Sequence, residues 1–341
     1  MRFVALALVL LFSLPVYSET IDFKSGKTIT GNIVDQTDKF IKVEVSGVEV
    51  KYYLEDIAAI DGQPLLEKEP LSEKTVFESI SDKTDKPVEI KIFAVEWNMP
   101  EDIRQTINTG IWALQGIYND IFDFHFSSDF VAKVRIFGDE KYFFGYQRMA
   151  STTSSNTGFF TSKTNEAVTY WRKNTVAMLA LVFHEVSHAL LHNVMHHQPS
   201  WIDEGIAEYF ESSLVEGDSL IVVPSKTKDR TFKQRLRWNS VMDLPSFLKM
   251  SDEEWSNYEN LPDNPARGLA WSIVYYLMES NLGRIVLKKT LHHLDKEGDQ
   301  PRASFQALDL YYPGGVRQLE KDWHEWISKE RLLHIYPTNP S

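Results

Sequence analysis

The 341-residue chain contains no cysteine, and this absence removes several kinds of chemistry at once. Without cysteine there is no disulfide framework, no thiolate metal ligand and no cysteine nucleophile. Any metal ion that the protein binds must therefore be held by imidazoles and carboxylates. The sequence provides both in quantity, with 10 histidines and 48 aspartates and glutamates.

Basic residues are scarce relative to acidic ones. Lysine and arginine together number 36, and the formal net charge at pH 7 is −12. Proteins that bind nucleic acid or anionic lipid over a broad surface need a basic face to meet the phosphate groups. The charge balance therefore argues against nucleic acid or anionic lipid as a partner that is bound over a broad surface.

Long apolar runs are also scarce, and the one at the N-terminus is short. The pair Met1-Arg2 precedes twelve mostly apolar residues, Phe3–Leu14, and Val16–Ser18 supplies small or tolerated residues before a cleavage site. This is the pattern of a secretory signal peptide over residues 1–18. The run is too short to span a bilayer comfortably, and an uncleaved anchor is the alternative. The sequence therefore predicts an extracytoplasmic protein, periplasmic or secreted, with no stable membrane insertion after cleavage.

Residues 19–64 alternate apolar and polar side chains in four or five short runs. Phe40–Val45 and Val48–Leu54 are the clearest, and Gly26 and Gly31 punctuate the pattern. Short alternating strands separated by turn residues predict a small β-barrel or curled sheet. The module resembles the SH3-like and Sm-like barrels of secreted bacterial proteins. It offers no catalytic residues, and its ligand is unknown from the sequence.

A change of composition divides the remainder of the chain. Glu, Lys, Ser and Asp dominate residues 65–87, which predicts a charged linker. Residues 88–341 form the predicted second domain. Within it, residues 88–218 show strand and helix spacings in turn, and residues 219–341 are mainly helical. The order of these elements predicts an α+β fold and not a βαβ repeat.

One stretch of this domain has the spacing of a metal site. His184-Glu185-Val186-Ser187-His188 reads H-E-x-x-H inside an apolar run that predicts a helix from about Val176 to Met195. Four residues advance a helix by about 6 Å and return the side chain to the same face, so both imidazoles can bind one Zn²⁺. Glu185 lies beside them and can accept a proton from an activated water. The alternative is a helix whose two histidines are paired with other groups.

A catalytic zinc site needs a third protein ligand, and Glu204 is the candidate. It lies sixteen residues after His188, in a second predicted helix that follows Pro199. An antiparallel pair of helices would bring Glu204 back to the two histidines and leave the fourth position for water. Glu208, one turn further on, shares the same helical face and is the alternative ligand.

The second helix completes a pattern that is known from one group of enzymes. His-Glu-x-x-His followed by the segment Trp201–Tyr209 resembles the gluzincin clan of zinc metallopeptidases, and especially the bacterial peptidase MA-like families. The resemblance covers residues 158–210 and extends more loosely to the C-terminus. It implies a zincin-like fold in which His184, His188 and Glu204 bind Zn²⁺ and Glu185 is the general base. In such a site Glu208 is placed to accept the free N–H of His184.

Two residues are candidates for the donor that stabilises an oxyanion in this chemistry. Related families often carry a tyrosine at the start of the helix that contains Ala270, and Arg267 stands at that position here. Arg267 can donate to an oxyanion or to a substrate carboxylate. Tyr258 is the second candidate. His192 either reaches the rim of the site or lies at the exposed end of its helix.

Together these features predict an extracytoplasmic zinc-dependent peptidase that acts on a peptide or protein. Glu185 would accept the proton of the attacking water and pass it to the leaving amine. One alternative is a non-catalytic envelope-binding protein on a degenerate zincin scaffold, which the intact Glu185 disfavours. The other is a zinc amidase that acts on cell-wall material, and it shares every residue named above.

Overall fold

The computed structural model of the chain describes residues 19–24, 26–36, 40–45, 48–53, 56–60, 62–64, 75–76, 87–150, 155–238, 241–298 and 302–338. The chain divides into two compact units, residues 1–72 and residues 73–341. The division falls inside the segment that was predicted to be a linker. The predicted signal peptide lies outside the described residues.

The first unit is an antiparallel β-sheet throughout its described residues. Its strands are β1 (Glu19–Phe23), β2 (Thr28–Gln36), β3 (Phe40–Val45), β4 (Val48–Tyr53), β5 (Ile57–Ile60) and β6 (Gln63–Pro64). They are hydrogen-bonded in the order β4-β3-β2-β1-β5-β6. Alternation along the strands buries Ile21, Ile41, Val43 and Ile57 in one cluster. The short antiparallel strands are confirmed, whereas closure into an SH3-like or Sm-like barrel stays a prediction.

The second unit combines two four-stranded sheets with a set of helices. Its described strands are β7 (Thr75–Val76), β8 (Glu89–Val95), β9 (Val131–Phe137), β10 (Gly158–Thr161), β11 (Glu166–Tyr170), β12 (Ser213–Glu216), β13 (Ser219–Val222) and β14 (His334–Pro337). Its described helices are α1 (Glu101–Asp120), α2 (Glu140–Ala150), α3 (Thr175–Val194), α4 (Ser200–Glu211), α5 (Lys226–Arg237), α6 (Leu244–Phe247), α7 (Asp252–Glu259), α8 (Pro265–Met278), α9 (Asn281–Glu297), α10 (Ala303–Tyr311) and α11 (Gly315–Ile327). The mixed α+β class is therefore confirmed, and the zincin-like fold stays a prediction.

The first sheet of this unit is mostly parallel and has the order β10-β11-β9-β8. Strands β8, β9 and β11 run parallel, and β10 is antiparallel at the edge. Parallel neighbours need a crossover, and α1 supplies it between β8 and β9. The sequence analysis predicted no βαβ repeat, but β8, α1 and β9 form one βαβ unit. This unit was missed because a short apolar strand has the same sequence pattern in parallel and antiparallel pairs.

The second sheet joins distant parts of the chain in the order β12-β13-β14-β7. Strands β12 and β13 form a hairpin, and β14 pairs antiparallel with β13 and parallel with β7. The helical character predicted for residues 219–341 is confirmed by α5 to α11, but β13 and β14 were not predicted. Strands of four residues are too short for their alternation to stand out within a helical region.

Helix α3 lies in the core of the second unit. It packs against β9, β10 and β11 and against α4, and α4 packs in turn against α8. A Cβ at Gly205 of α4 would lie 2.8 Å from Val274 Cγ2 and 3.0 Å from Ala270 O on α8. Glycine at this position therefore allows α4 to approach α8 closely. Helix α4 thus lies between α3 and α8, and its face towards α3 carries the candidate site.

The bounds and burial of α3 follow from its sequence. Asn174 caps its N-terminus, with Oδ1 accepting a hydrogen bond from Ala177 N at 3.1 Å. Among the described helices, α3 alone is long and apolar enough to cross a bilayer by length and composition, and 61% of its apolar window is buried inside the structure. The apolar residues that surround the motif, such as Val182 and Leu190, are buried in the main core.

Candidate metal centre

Helices α3 and α4 bring the predicted metal ligands together. His184 and His188 are buried, with 6% and 7% of their surface exposed. Their Nε2 atoms are 3.3 Å apart. Glu204 on α4 approaches them, and its Oε2 is 3.7 Å from His184 Nε2. His184, His188 and Glu204 form a group that could hold a metal ion.

The spacing of these donors fits a tetrahedral ion. Zinc–nitrogen bonds of about 2.0–2.1 Å at tetrahedral angles separate two ligand nitrogens by roughly 3.3 Å. The two Nε2 atoms are 3.3 Å apart. Their lone pairs repel each other at this distance unless a proton or a cation lies between them. Glu204 Oε2 is buried with no hydrogen-bond partner, so the group also contains an acceptor that a cation would satisfy.

Asp203 supports His188, and the sequence analysis did not assign it a role. Its Oδ1 is 2.7 Å from His188 Nδ1, and its Oδ2 is 3.1 Å from His192 Nε2. Burial by itself would lower the pKa of His188, but the Asp203 carboxylate raises that pKa to about 10. The same pairing holds the pKa of Asp203 below its usual range despite burial. With Nδ1–H donated to Asp203, His188 presents the Nε2 lone pair to a metal.

His192 contacts the site through Asp203 and through the ring of His188, whose centroid is 6.4 Å from its own, and these three residues form a second group that could hold a metal ion. The His192 ring also lies beside Phe160 of β10, with ring centroids 5.1 Å apart. His192 is both exposed in the last turn of α3 and in contact with Asp203 at the rim of the site, so the structure combines the two positions that the sequence allowed. Asp203 could have been identified from its position directly before Glu204. On α4, the residue next to a proposed metal ligand can face an adjoining turn of α3.

Glu208 is buried beside the site but does not bond the histidine that it was predicted to support. His184 Nδ1 is buried with no hydrogen-bond partner. The Glu208 carboxylate instead forms an ion pair with Lys228 of α5, which also pairs with Glu211 at 2.6 Å. Despite burial, Lys228 and His184 hold the pKa of Glu208 well below its usual range. Burial together with the neighbouring His188 lowers the pKa of His184 to about 3.

Arg267 lies at the site and contacts three carboxylates. Its Nη1 is 2.9 Å from Glu204 Oε2 and 3.6 Å from Glu208 Oε1, and its Nε donates to Glu259 Oε1 at 2.6 Å. The contact with Glu204 is close but lacks hydrogen-bond geometry, so it acts through charge. Burial raises the pKa of Glu204 to about 7, although His188 and Arg267 oppose that rise.

Tyr258 is not part of this group. Its hydroxyl accepts a hydrogen bond from Met242 N at 3.5 Å. Within the described part of the chain, no hydrogen bond or ion pair joins Tyr258 to His184, His188 or Glu204. Of the two candidate oxyanion donors, the structure therefore brings Arg267 to the site and leaves Tyr258 away from it.

Glu185 faces the edge strand of the first sheet. A Cβ at Gly158 of β10 would lie 3.0 Å from Glu185 Oε1, so glycine leaves the space that this carboxylate occupies. Glu185 itself is 6% exposed. Burial raises its pKa to about 8, with Glu204 among the carboxylates that add to the rise. Glu185 thus lies between the two histidines of α3 and the free edge of the sheet.

A cavity of about 380 Å³ opens beside the metal group, between α4, α5 and the start of α8. Glu208, Lys228 and Arg267 line it together with Phe232 and Arg235. The charged side chains are paired, so the cavity has a polar wall of alternating sign and an apolar wall at Phe232. Its volume lies within the range of small-molecule sites in proteins.

Comparison with known proteins finds a similarity to one family, whose description gives no activity. A family model described as "Protein of unknown function (DUF1570)" matches residues 178–292, about a third of the chain. No curated protein matches the sequence. The matched residues run from α3 into α9 and include all the predicted site residues. The chain is therefore similar to that family over its candidate site.

Proposed function

We propose that this protein is a zinc-dependent hydrolase that cleaves peptide bonds outside the cytoplasm. The observation that carries the proposal is the buried group His184, His188 and Glu204, with Glu185 beside it on α3. Two imidazoles and one carboxylate are the ligand set of catalytic zinc sites that keep a position open for water. A structural zinc site is usually closed by four protein ligands, and this group provides three.

Zn²⁺, when bound, supplies a Lewis acid that lowers the pKa of water toward about 7 and polarises a carbonyl. Glu185 takes the proton of the attacking water as general base and returns it to the leaving amine. Burial raises the pKa of the Glu185 carboxyl above that of an exposed glutamate, which suits a group that must release the proton it has accepted. Its burial between α3 and β10 also keeps bulk water from competing for that proton.

Arg267 is the donor that we assign to the developing oxyanion. Its guanidinium lies 2.9 Å from Glu204 and is oriented by Glu259 on the opposite side. The Arg267 guanidinium, in contact with Glu204 and Glu259, lies next to a proposed metal ligand. A cation in this position would stabilise negative charge that forms at the metal. Lys228 has a different role, since it pairs with both Glu208 and Glu211 and so offsets part of the negative charge beside the metal group.

The edge strand β10 favours an extended polypeptide as the substrate. An edge strand has backbone groups without a partner on its outer side, and an extended peptide can pair with them. Gly158 at the start of β10 lies against Glu185, so a peptide that paired with this strand would pass the general base. The predicted signal peptide supports action in the periplasm or outside the cell.

Two measurements on the purified protein test this function. Elemental analysis should find about one zinc per chain, and hydrolysis of a peptide library should stop when a chelator removes the metal. Glu185→Gln should retain the zinc but lose at least about 10²-fold in activity, because the proton acceptor is gone. Glu253→Gln, an exposed substitution on α7, is the control and should leave both unchanged. Full activity in Glu185→Gln would refute the assignment of the base, and a protein without stoichiometric metal would refute the site.

A further inference from the structure

Helix α5 has a charge opposite to that of the chain. Six of its twelve residues are lysine or arginine, and Asp229 is its only acid. The helix therefore carries five more positive than negative charges, in a protein whose net charge is −12. Such a concentration of positive charge in an acidic protein is a local feature that the metal site does not require.

One face of α5 is occupied inside the protein. Lys228 and Arg235, seven residues apart, both line the cavity beside the metal group, and Phe232 lies between them. Lys228 pairs with Glu208 and Glu211, and Arg235 Nη2 donates to Pro262 O at 2.5 Å. Both cations therefore make their contacts within the protein.

The opposite face of α5 is a basic stripe that points to solvent. Lys226, Arg230, Lys233 and Arg237 recur at intervals of three and four residues and so share one side of the helix. Lys226, Arg230 and Arg237 are exposed, and no ion pair among the described residues involves them. Lys233 pairs with Asp229 at 2.8 Å, so the acid of this helix is already neutralised. We call these four residues the outer stripe.

Two exposed apolar side chains lie near the C-terminal end of α5. Trp238, directly after α5, is 68% exposed, and Leu261 is 51% exposed. The loop that carries Leu261 is held at this end of α5 by Arg235, which contacts Pro262 O and Asp263. An exposed indole next to basic side chains suits the headgroup region of a bilayer, where one part of the ring meets lipid and the N–H meets water.

We propose that the outer stripe, with Trp238 and Leu261, docks the protein reversibly on an anionic phospholipid surface. The lysines and arginines pair with lipid phosphates, and the indole enters the interface. Because the remainder of the protein is acidic, a negative surface repels it in other orientations. Docking therefore has one orientation, with α5 against the lipid. The contact is peripheral and does not depend on the proposed hydrolase activity.

Sedimentation of the full chain with vesicles tests this proposal. At low salt the protein should sediment with vesicles of equal parts phosphatidylglycerol and phosphatidylcholine. With vesicles of pure phosphatidylcholine, the protein should remain in the supernatant. Binding should weaken steeply as salt screens the charges. The triple variant Lys226→Glu, Arg230→Glu and Arg237→Glu should lower the partition coefficient by about tenfold or more. Trp238→Ala should lower it severalfold without a change in net charge.

A second charge reversal is the matched control. Lys141→Glu, Arg148→Glu and Lys163→Glu change the net charge by the same amount at exposed positions on other elements, and this variant should bind like the wild type. All variants share the same N-terminal segment, so any contribution that it makes is equal in each of them. Equal binding by the two triple variants would overturn the proposal, as would wild-type protein that ignores anionic vesicles. Capture of an acidic polypeptide in the absence of vesicle binding would overturn it in favour of a protein ligand.

Discussion

The two histidines of the candidate site lie one helical turn apart, yet the regions beside them are built differently. On the side of His188, at the start of α4, the Asp203 carboxylate accepts a hydrogen bond from Nδ1 at 2.7 Å. On the side of His184, towards the end of α4, Nδ1 is buried with no partner. The carboxylate that could reach it, Glu208, is paired with Lys228 and Arg267 instead.

This difference separates two tasks that a metal site must perform. The protein alone fixes the ring of His188, since Asp203 sets both its orientation and the nitrogen that faces the metal. Around His184 the chain instead places two cations, Lys228 and Arg267, among four carboxylates, Glu204, Glu208, Glu211 and Glu259, and so offsets part of their charge. We therefore expect substitutions near His188 to change metal affinity, and substitutions near Glu208 to change stability.

The largest expected effect compares the two glutamates of α4. Glu204→Gln should abolish stoichiometric metal binding, because it removes the charged oxygen that lies 3.7 Å from His184 Nε2. Glu208→Gln should keep the metal with only a weaker affinity, and it should lose stability instead. Lys228 would then keep Glu211 as its acidic partner, so the loss of stability should be smaller than the roughly 3–5 kcal/mol that an uncompensated buried charge costs. Elemental analysis and thermal unfolding of the two variants measure these outcomes.

The reverse result would exchange the roles of the two residues. If Glu208→Gln loses the metal while Glu204→Gln retains it, Glu208 is the ligand, and the unpaired Nδ1 of His184 would then need another explanation. Both are isosteric substitutions on one helix, so each serves as the control for the other.

A smaller effect is expected for the support of His188. Asp203→Asn removes the charge that orients the ring, and loss of such a partner typically lowers metal affinity by about 10–100-fold. His192→Ala removes the 3.1 Å contact on the far side of Asp203 and the ring contacts with Phe160 and His188, but it leaves the Asp203–His188 bond in place and should change the affinity less. Competition with a chromogenic chelator gives both numbers without any assay of activity. An equal loss in the two variants would mean that the three residues act as one unit.

The parts of this site that lie on one continuous helix could be predicted from the sequence. The spacing of His184 and His188, the cap at Asn174 and the break at Pro199 placed α3 and α4 within one residue of their observed starts. Local spacing and capping decide such features, so they need no knowledge of the tertiary fold. The pairing of Glu204 with the two histidines also followed, because two antiparallel helices meet along one face.

The supporting contacts could not be predicted because they depend on segments far apart in the chain. Lys228 reaches Glu208 from a helix that follows the β12–β13 hairpin, and neither strand gave a clear alternating pattern. Glu259 meets Arg267 from the end of α7. Whether a carboxylate near a histidine bonds it or is taken by a cation depends on which side chains arrive from such segments. The sequence therefore supported Glu208 as a partner of His184, and the fold provided Lys228 instead.

The smallest expected effect extends the comparison to a buried histidine outside the site. Nδ1 of His334 on β14 shares a hydrogen bond with Tyr209 OH at 2.5 Å, and its Nε2 has no partner among the described residues. Burial and the nearby Arg284 lower its pKa to about 3. The unfolded chain binds a proton at His334 near pH 6.5, and the folded chain does not until about pH 3. This group therefore favours unfolding as the pH falls below about 6.5, by on the order of 1–2 kcal/mol at pH 5.

Denaturant unfolding of the wild type and His334→Gln at pH 7 and pH 5, with chelator present in all samples, measures this contribution. The glutamine variant is less stable at pH 7 because the contact with Tyr209 changes, but it should lose less stability between the two pH values than the wild type does. His324→Gln is the control, since His324 is exposed and its replacement should leave the pH dependence as it is. An unchanged pH dependence in His334→Gln would mean that His334 takes up a proton in the folded state. A carboxylate or a water would then have to act for His334 as Asp203 acts for His188.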